Sequence, residues 1–210
     1  MLPAAPHAAL VCLASASPRR RELLAQIGVR HVLAVPDVDE TVLPGEAAAD
    51  YVVRIARAKA ESVAARGAGL PVLAADTTVV LDGAICGKPR DAEQGLALLR
   101  ALSGRTHTVL TAVALAAGAV LQHRLSASEV RFRQLSRAEC LAYWESGEPR
   151  DKAGGYAVQG LAAVFVEHLS GSYSGVVGLP LFETAQLLEA AGVRCGWREI
   201  GAASTAAAAP

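Results

Sequence analysis

Ala8-Ala9-Leu10-Val11-Cys12-Leu13-Ala14-Ser15-Ala16-Ser17-Pro18-Arg19-Arg20-Arg21 is the stretch on which the fold turns. Ala8–Ala14 is a continuous apolar run of strand length, the pattern of a buried strand. Ser17 followed by Pro18 is a helix start, a cap and then proline at the first helical position. The helix is predicted over Pro18–Ile27, with Gly28 as its stop. The same stretch mimics a secretory signal, being apolar and ending in Ala-Ser-Ala. No Lys or Arg precedes it and three arginines follow at once, the reverse of a secretory charge order. A buried strand running into a helix, in a cytoplasmic protein, is the expectation.

Outward from there the chain alternates in kind. Val29–Val35 reads as a second strand, and Pro36–Gly45 as an acidic loop with Asp37, Asp39 and Glu40. Ala47–Arg66 has the helical spacing of Val52, Ile55, Ala56 and Val63. Val72–Leu81 and Ala84–Cys86 are strands joined by Asp82-Gly83, a hairpin turn signal. Asp91–Leu102 is a helix closed by Ser103-Gly104. Thr106–Ala116 and Val120–Phe132 are long β runs on either side of Gly118. Arg137–Ser146 is a helix, Tyr156–Leu169 contains further strand interrupted by Gly160, and Leu181–Ala191 is the last helix. The elements mix without strict βαβ order, so a mixed α/β sheet is expected rather than a doubly wound one. Residues 1–7 are read as a flexible leader, 8–200 as a single domain, and 201–210 as a disordered Ala-rich tail.

Composition narrows the function. The 210 residues carry 20 basic and 20 acidic side chains, 52% hydrophobic residues and 4% aromatics. A balanced charge argues against a general nucleic-acid binder, and few aromatics argue against a base-stacking platform. No apolar run reaches membrane-span length. Cys12, Cys86, Cys140 and Cys195 are far apart, without zinc spacing, and read as reduced thiols. Lysine occurs only at Lys59, Lys88 and Lys152. Where arginine is the default cation, a retained lysine can mark a site that needs a compact ammonium, although chance retention on the surface gives the same count.

Five segments could carry chemistry. Ser15-Ala16-Ser17-Pro18-Arg19-Arg20 stands where a strand gives way to a helix, and free N–H groups with two arginines there suit a polyphosphate; a solvated cationic face is the alternative. Asp76, inside the apolar Ala74-Ala75-Asp76-Thr77-Thr78, needs a partner if buried. It reads as a metal or general-base carboxylate, or as an Asp bonded to nearby backbone. Lys88, between Gly87 and Pro89, would suit a phosphate, whereas Lys59 on an apolar helix stripe is more simply a snorkelling side chain. Gly147 to Tyr156, then Gln159-Gly160, combines close-approach glycines with an amide able to read a base edge, or is ordinary turn chemistry. Gly171 to Pro180 reads as a tight glycine loop feeding the last helix. Neither a GxGxxG fingerprint nor a GxxxxGK[ST] loop is present.

Together these segments resemble the Maf (septum-formation-inhibitor-like) nucleoside triphosphate pyrophosphatases, from about Leu10 to Leu188. The carrying motifs are Leu13 to Arg20, Ala75-Asp76-Thr77, Gly87-Lys88-Pro89, Leu102-Ser103-Gly104, Asp151 to Tyr156 with Gln159-Gly160, and Gly178-Leu179-Pro180. The resemblance implies a mixed, strongly curved sheet flanked by helices, with two lobes and a central cleft, of the Maf / inosine triphosphate pyrophosphatase-like class. It also implies a homodimer and hydrolysis of a nucleoside triphosphate to the monophosphate and diphosphate. By position, Asp76 matches the family's proton acceptor. Arg19, Lys59 and Lys88 match its phosphate-cleft cations, with Arg20 beside them and Ser15 and Ser17 in the same motif. Glu40 matches a carboxylate near the metal, which with Asp76 would hold Mg²⁺ or Mn²⁺. Arg19, Thr77 and Gln159 match positions that separate subfamilies, and Asp-Thr with Gln resembles the dTTP/UTP branch. The alternatives are a 7-methyl-GTP or broad-specificity pyrophosphatase of the same family, or a non-catalytic nucleotide-binding regulator of cell division. The leader, the Ala tail and Cys86 before Gly87 depart from the family pattern.

Overall fold

A computed structural model describes residues 10–67 and 69–196. The expected leader at 1–7 and tail at 201–210 lie outside the described residues. The opening strand is β1, Val11–Ala14, and all four of its residues are buried. It runs into helix α1, Pro18–Gln26. Ser17 holds the cap position in extended backbone but makes no side-chain cap bond. Its own N–H instead donates to Ser15 Oγ at 3.1 Å.

Among the described residues seven strands form one open sheet. The others are β2 His31–Ala34, β3 Val72–Leu81, β4 Ala84–Cys86, β5 Thr106–Ala117, β6 Val120–Phe132 and β7 Val166–Ser170, in the order β2-β1-β3-β5-β6-β7 with β4 also on β3. β1 pairs in parallel with β2 and β3, and every other pairing is antiparallel. The expected mixed sheet is therefore present. β6 changes register between Arg131 and Phe132, an irregularity of the kind that bends a strand.

Side chains alternate across the sheet, and the two faces take different helices. Cys12, Ala14, Val72, Ala74, Ala112 and Ala114 pack under Val52, Ala56, Ala60 and Val63 of α2, Ala48–Ala64. Small residues on the strands let the long helix approach closely. Val11, Leu13, Leu73, Val113 and Leu115 point the other way, onto Leu23 and Leu24 of α1 and Leu187 and Leu188 of α6, Leu181–Ala190. Further along that same face Val79, Leu81, Val109, Val130 and Phe132 form a second apolar cluster. It is closed by α3, Ala92–Leu102, and α4, Arg137–Glu145. Between the two clusters the register sets Thr77 beside Thr111 and Thr111 beside Ser126, a polar row across three strands.

Two segments differ from the sequence reading. The strand expected in Tyr156–Leu169 starts only at Val166; Val158–Gly160 is a turn and Leu161–Phe165 a 3-10 helix. A short apolar run has no period that separates strand from helix. Here the Glu148 carboxylate accepts from the N–H groups of Leu161 and Ala162, and that capping favours the helical turn. The glycine loop before the last helix contains a short helix, α5, Tyr173–Val177. Ser172 caps it by accepting from Gly175 N–H at 3.0 Å.

Candidate active site

β3 outruns its neighbour. β1 pairs with it only as far as Ala74, and β4 joins the same side only from Val79. The edge of Ala75–Thr78 between them has no strand partner among the described residues, and a cavity of about 530 Å³ opens there. That volume lies within the usual range for a small-molecule site. All ten residues singled out from the sequence line it: Ser15, Ser17, Arg19, Arg20, Glu40, Lys59, Asp76, Thr77, Lys88 and Gln159.

At its floor two carboxylates share one ammonium. Lys59 Nζ lies 2.7 Å from Asp76 Oδ1 and 2.7 Å from Glu40 Oε1. Lys59 and Asp76 are buried, whereas Glu40 is part open to the cavity. Burial raises the Asp76 pKa above its ordinary value, against the pull of Lys59 and Arg20. For Glu40 burial also pushes upward, but the Lys59 bond and the charges of Lys59, Lys88 and Arg20 outweigh it and hold the group low. Lys59 therefore does not snorkel as its apolar stripe suggested. The α2 stripe that carries it also carries Tyr51 and Ile55, at four-residue spacing.

The acidic loop reaches the site through Glu40 because α2 pins it. Arg54 makes a bidentate pair with Glu46, at 2.6 and 2.7 Å, and donates to the Thr41 carbonyl. Tyr51 Oη donates to the Glu40 carbonyl at 3.1 Å. Asp39 turns back to accept from Thr41 N–H. Burial, with Asp76 and Glu40 nearby, pushes the Tyr51 hydroxyl up to about 12.

Arg20 is fixed to both β3 and the α5 loop. Its Nε donates to the Gly178 carbonyl at 2.8 Å, and its Nη2 to Thr77 Oγ1 at 3.3 Å. Burial, joined by repulsion from Arg19, lowers its pKa; Asp76 and Glu40 oppose that. Thr77 in turn meets Thr111 Oγ1 at 3.0 Å, and Thr111 donates to the Gly175 carbonyl at 2.7 Å. A carbonyl only accepts, so the single Thr111 proton goes there and Thr77 donates to Thr111. Thr77 is left with acceptor capacity, which Arg20 uses. Sequence reading missed Thr111 because a threonine within a β run carries no signal of its own; register against Thr77 was the missing information. Tyr51 was missed as well, although its spacing from Lys59 was visible.

The rest of the wall suits an anion with an apolar body. The N–H groups of Arg19 and Arg20, in the first turn of α1, have no partner among the described residues, as helix starts leave them. Lys88 is exposed at the rim, held between Gly87, whose carbonyl accepts from Gly154 N–H at 3.1 Å, and the buried Pro89. Lys152 is also in the lining, but its ammonium is used by Asp151 and the Glu148 carbonyl. Ile85, Val109, Val158, Val176 and Val177 supply carbon surface. Gln159 faces the cavity, exposed, and its amide makes no hydrogen bond among the described residues.

No group of three or more His, Cys, Asp or Glu gathers as a metal cluster among the described residues. Asp76 and Glu40 each give one oxygen to Lys59 and keep the other, so their donor set fits a hard divalent cation completed by ligand oxygens. No helix among the described residues is long and apolar enough to cross a membrane.

A dTTP/UTP pyrophosphatase of Saccharophagus degradans is 56% identical over 182 residues, 85% of this chain and 87% of that protein. One of Nitrosomonas europaea is 56% identical over 196 residues, 87% of this chain and 95% of that protein. A solved HAM1 protein from Coxiella burnetii is a more distant likeness, with TM-score 0.41 and 22% identity over 60% of this chain and 73% of that one. The family model for Maf-like protein matches residues 10–191, which spans every strand and helix described above, and the chain therefore belongs to the Maf-like family.

Proposed function

We propose that the protein is a nucleoside triphosphate pyrophosphatase that hydrolyses dTTP and UTP to the monophosphate and diphosphate. The observation that carries this reading is the Asp76–Lys59–Glu40 cluster at the open edge of β3, facing a cavity rimmed by Arg19, Arg20 and Lys88. Relatives bearing that activity by name, at more than half identity over most of their length, support it. A triphosphate carries about four negative charges, and positioning with charge neutralisation supplies most of the catalysis in phosphoryl transfer.

Asp76 is the general base, orienting or deprotonating the attacking water. Arg19, Arg20 and Lys88, with the Ser15–Ser17 turn and the open N–H groups of α1, bind the phosphates. Lys59 keeps Asp76 and Glu40 together, next to the phosphates, and compensates their charge. Thr77 and Gln159 face the nucleoside. Asp76 and Glu40 would hold Mg²⁺ or Mn²⁺, which when bound supplies a Lewis acid to the phosphate oxygens. Residues 8–200 act as one two-lobed unit, in a cytoplasmic homodimer. The deciding experiment is a nucleotide panel with either metal, scoring diphosphate against orthophosphate. Diphosphate from dTTP and UTP is expected; orthophosphate alone, or no turnover, overturns the reading.

A further inference from the structure

Gln159 has a held backbone, although its side chain makes no hydrogen bond among the described residues. Tyr143 Oη, from α4, accepts from Ala157 N–H at 3.1 Å and donates to Glu148 Oε1 at 2.8 Å. Glu148 Oε2 accepts from Leu161 N–H at 3.0 Å, and Oε1 from Ala162 N–H at 3.4 Å. One buried phenol and one carboxylate thus bind the chain two residues before Gln159 and two and three residues after it. Gly160 lies flat against the carboxylate, where any Cβ would overlap it. Tyr143 itself is locked by an edge-on contact with Phe165, ring centres 5.1 Å apart. Lys152 Nζ donates to the Glu148 carbonyl at 2.8 Å, tying the same residue to the cavity's Asp151-Lys152 wall. Neither Tyr143 nor Glu148 lines the cavity.

We infer that Tyr143 and Glu148 are positioning residues which fix the Gln159 turn as a rigid wall and thereby hold the cavity to the size of a pyrimidine nucleotide. The inference rests on the pyrophosphatase reading and deepens it. A wall free to retreat would lose its contact with the smaller base and admit the larger one. The effect falls on binding and selectivity, because the turn is distinct from the Asp76 cluster that performs the chemistry.

The test is steady-state kinetics on UTP and GTP with the full chain, for wild type, Tyr143→Phe, Gln159→Ala and the double variant. Tyr143→Phe keeps the ring against Phe165 and removes only the hydroxyl. It is expected to raise KM for UTP and to lower the UTP-over-GTP ratio of kcat/KM, each by about tenfold, the scale of one or two lost hydrogen bonds. The kcat for UTP should stay near wild type. The double variant should discriminate no worse than Gln159→Ala alone, because both changes act through one side chain. Unchanged selectivity in Tyr143→Phe, or multiplicative losses in the double variant, overturns the inference. So does a kcat loss as large as the KM rise, which would indicate general structural damage. A wild-type protein that releases no diphosphate from UTP is a separate result, and it removes the pyrophosphatase reading itself.

Discussion

The Lys59 ammonium lies 2.7 Å from Asp76 Oδ1, and both residues are withdrawn from water, 7% and 6% exposed. Such a pair adds little net stability when intact, but removing one partner leaves a buried charge uncompensated. Lys59→Met should therefore cost about 3–5 kcal/mol, read by denaturant unfolding, and Lys59→Met combined with Asp76→Leu should recover most of it. Equal losses in the single and double variants would show that Asp76 does not depend on Lys59.

Asp76→Asn keeps the shape of the side chain and removes its basicity. Turnover should fall by roughly 10²–10⁴, the range for loss of a general base. Wild-type turnover in this variant would displace Asp76 from that role. The same residue sets a pH limb. Burial raises its pKa above 3.8 despite Lys59 and Arg20, and only the ionised form can take a proton. Activity should therefore decline, as pH falls, at a pH above that of an ordinary aspartate. A kcat/KM profile flat down to 3.8 would contradict the assignment.

Thr111 tests how Arg20 is held. Thr111→Val removes the hydroxyl that Thr77 donates to and leaves the Gly175 carbonyl unpaired, a loss of about 1–3 kcal/mol for a buried polar group. With Thr77 released from its orientation, KM for the nucleotide should rise. Thr111→Ser, which keeps the hydroxyl, should restore both quantities. Thermal unfolding together with KM measurement checks this; equal behaviour of the valine and serine variants would deny the hydroxyl any part.

His107 makes a prediction away from the chemistry. It is buried against Phe132 and Tyr156, its Nε2 is 2.8 Å from Tyr156 Oη, and its Nδ1 has no partner among the described residues. Burial brings its pKa down to about 4 from 6.5. The unfolded chain therefore binds a proton that the folded chain refuses. The contribution to stability is full above pH 6.5 and is lost as pH falls towards about 4, on the order of 3 kcal/mol. Unfolding midpoints across that window should slope in wild type and flatten in His107→Gln. An unchanged slope would assign the acid sensitivity to other groups.

Much of this architecture was legible in the sequence because its signals were local. Val72–Leu81, Ala84–Cys86 and Val120–Phe132 form strands with the predicted bounds, since Pro71, Asp82-Gly83 and Gly118 punctuate them. The last helix likewise follows Pro180. Leu161–Phe165 was not legible: its apolar run suits a strand equally well, and the capping carboxylate that decides the matter is thirteen residues away at Glu148. The site divides in the same way. Asp76 stood out as a charge within an apolar strand, and Arg19 and Arg20 as cations at a helix start. Lys59 looked like a surface side chain because the two acids that pair with it come from a loop and from the strand beneath α2, both distant in sequence. Thr111 needed strand register, which no single segment contains.

β1 ends after four residues while β3 continues for ten. If β1 were two residues longer, with a β-branched pair replacing Ser15-Ala16, it could zip along β3 as far as Asp76 and cover that edge. The molecule would gain backbone bonds and lose its vestibule, so an improvement in folding and the extinction of catalysis would arrive together.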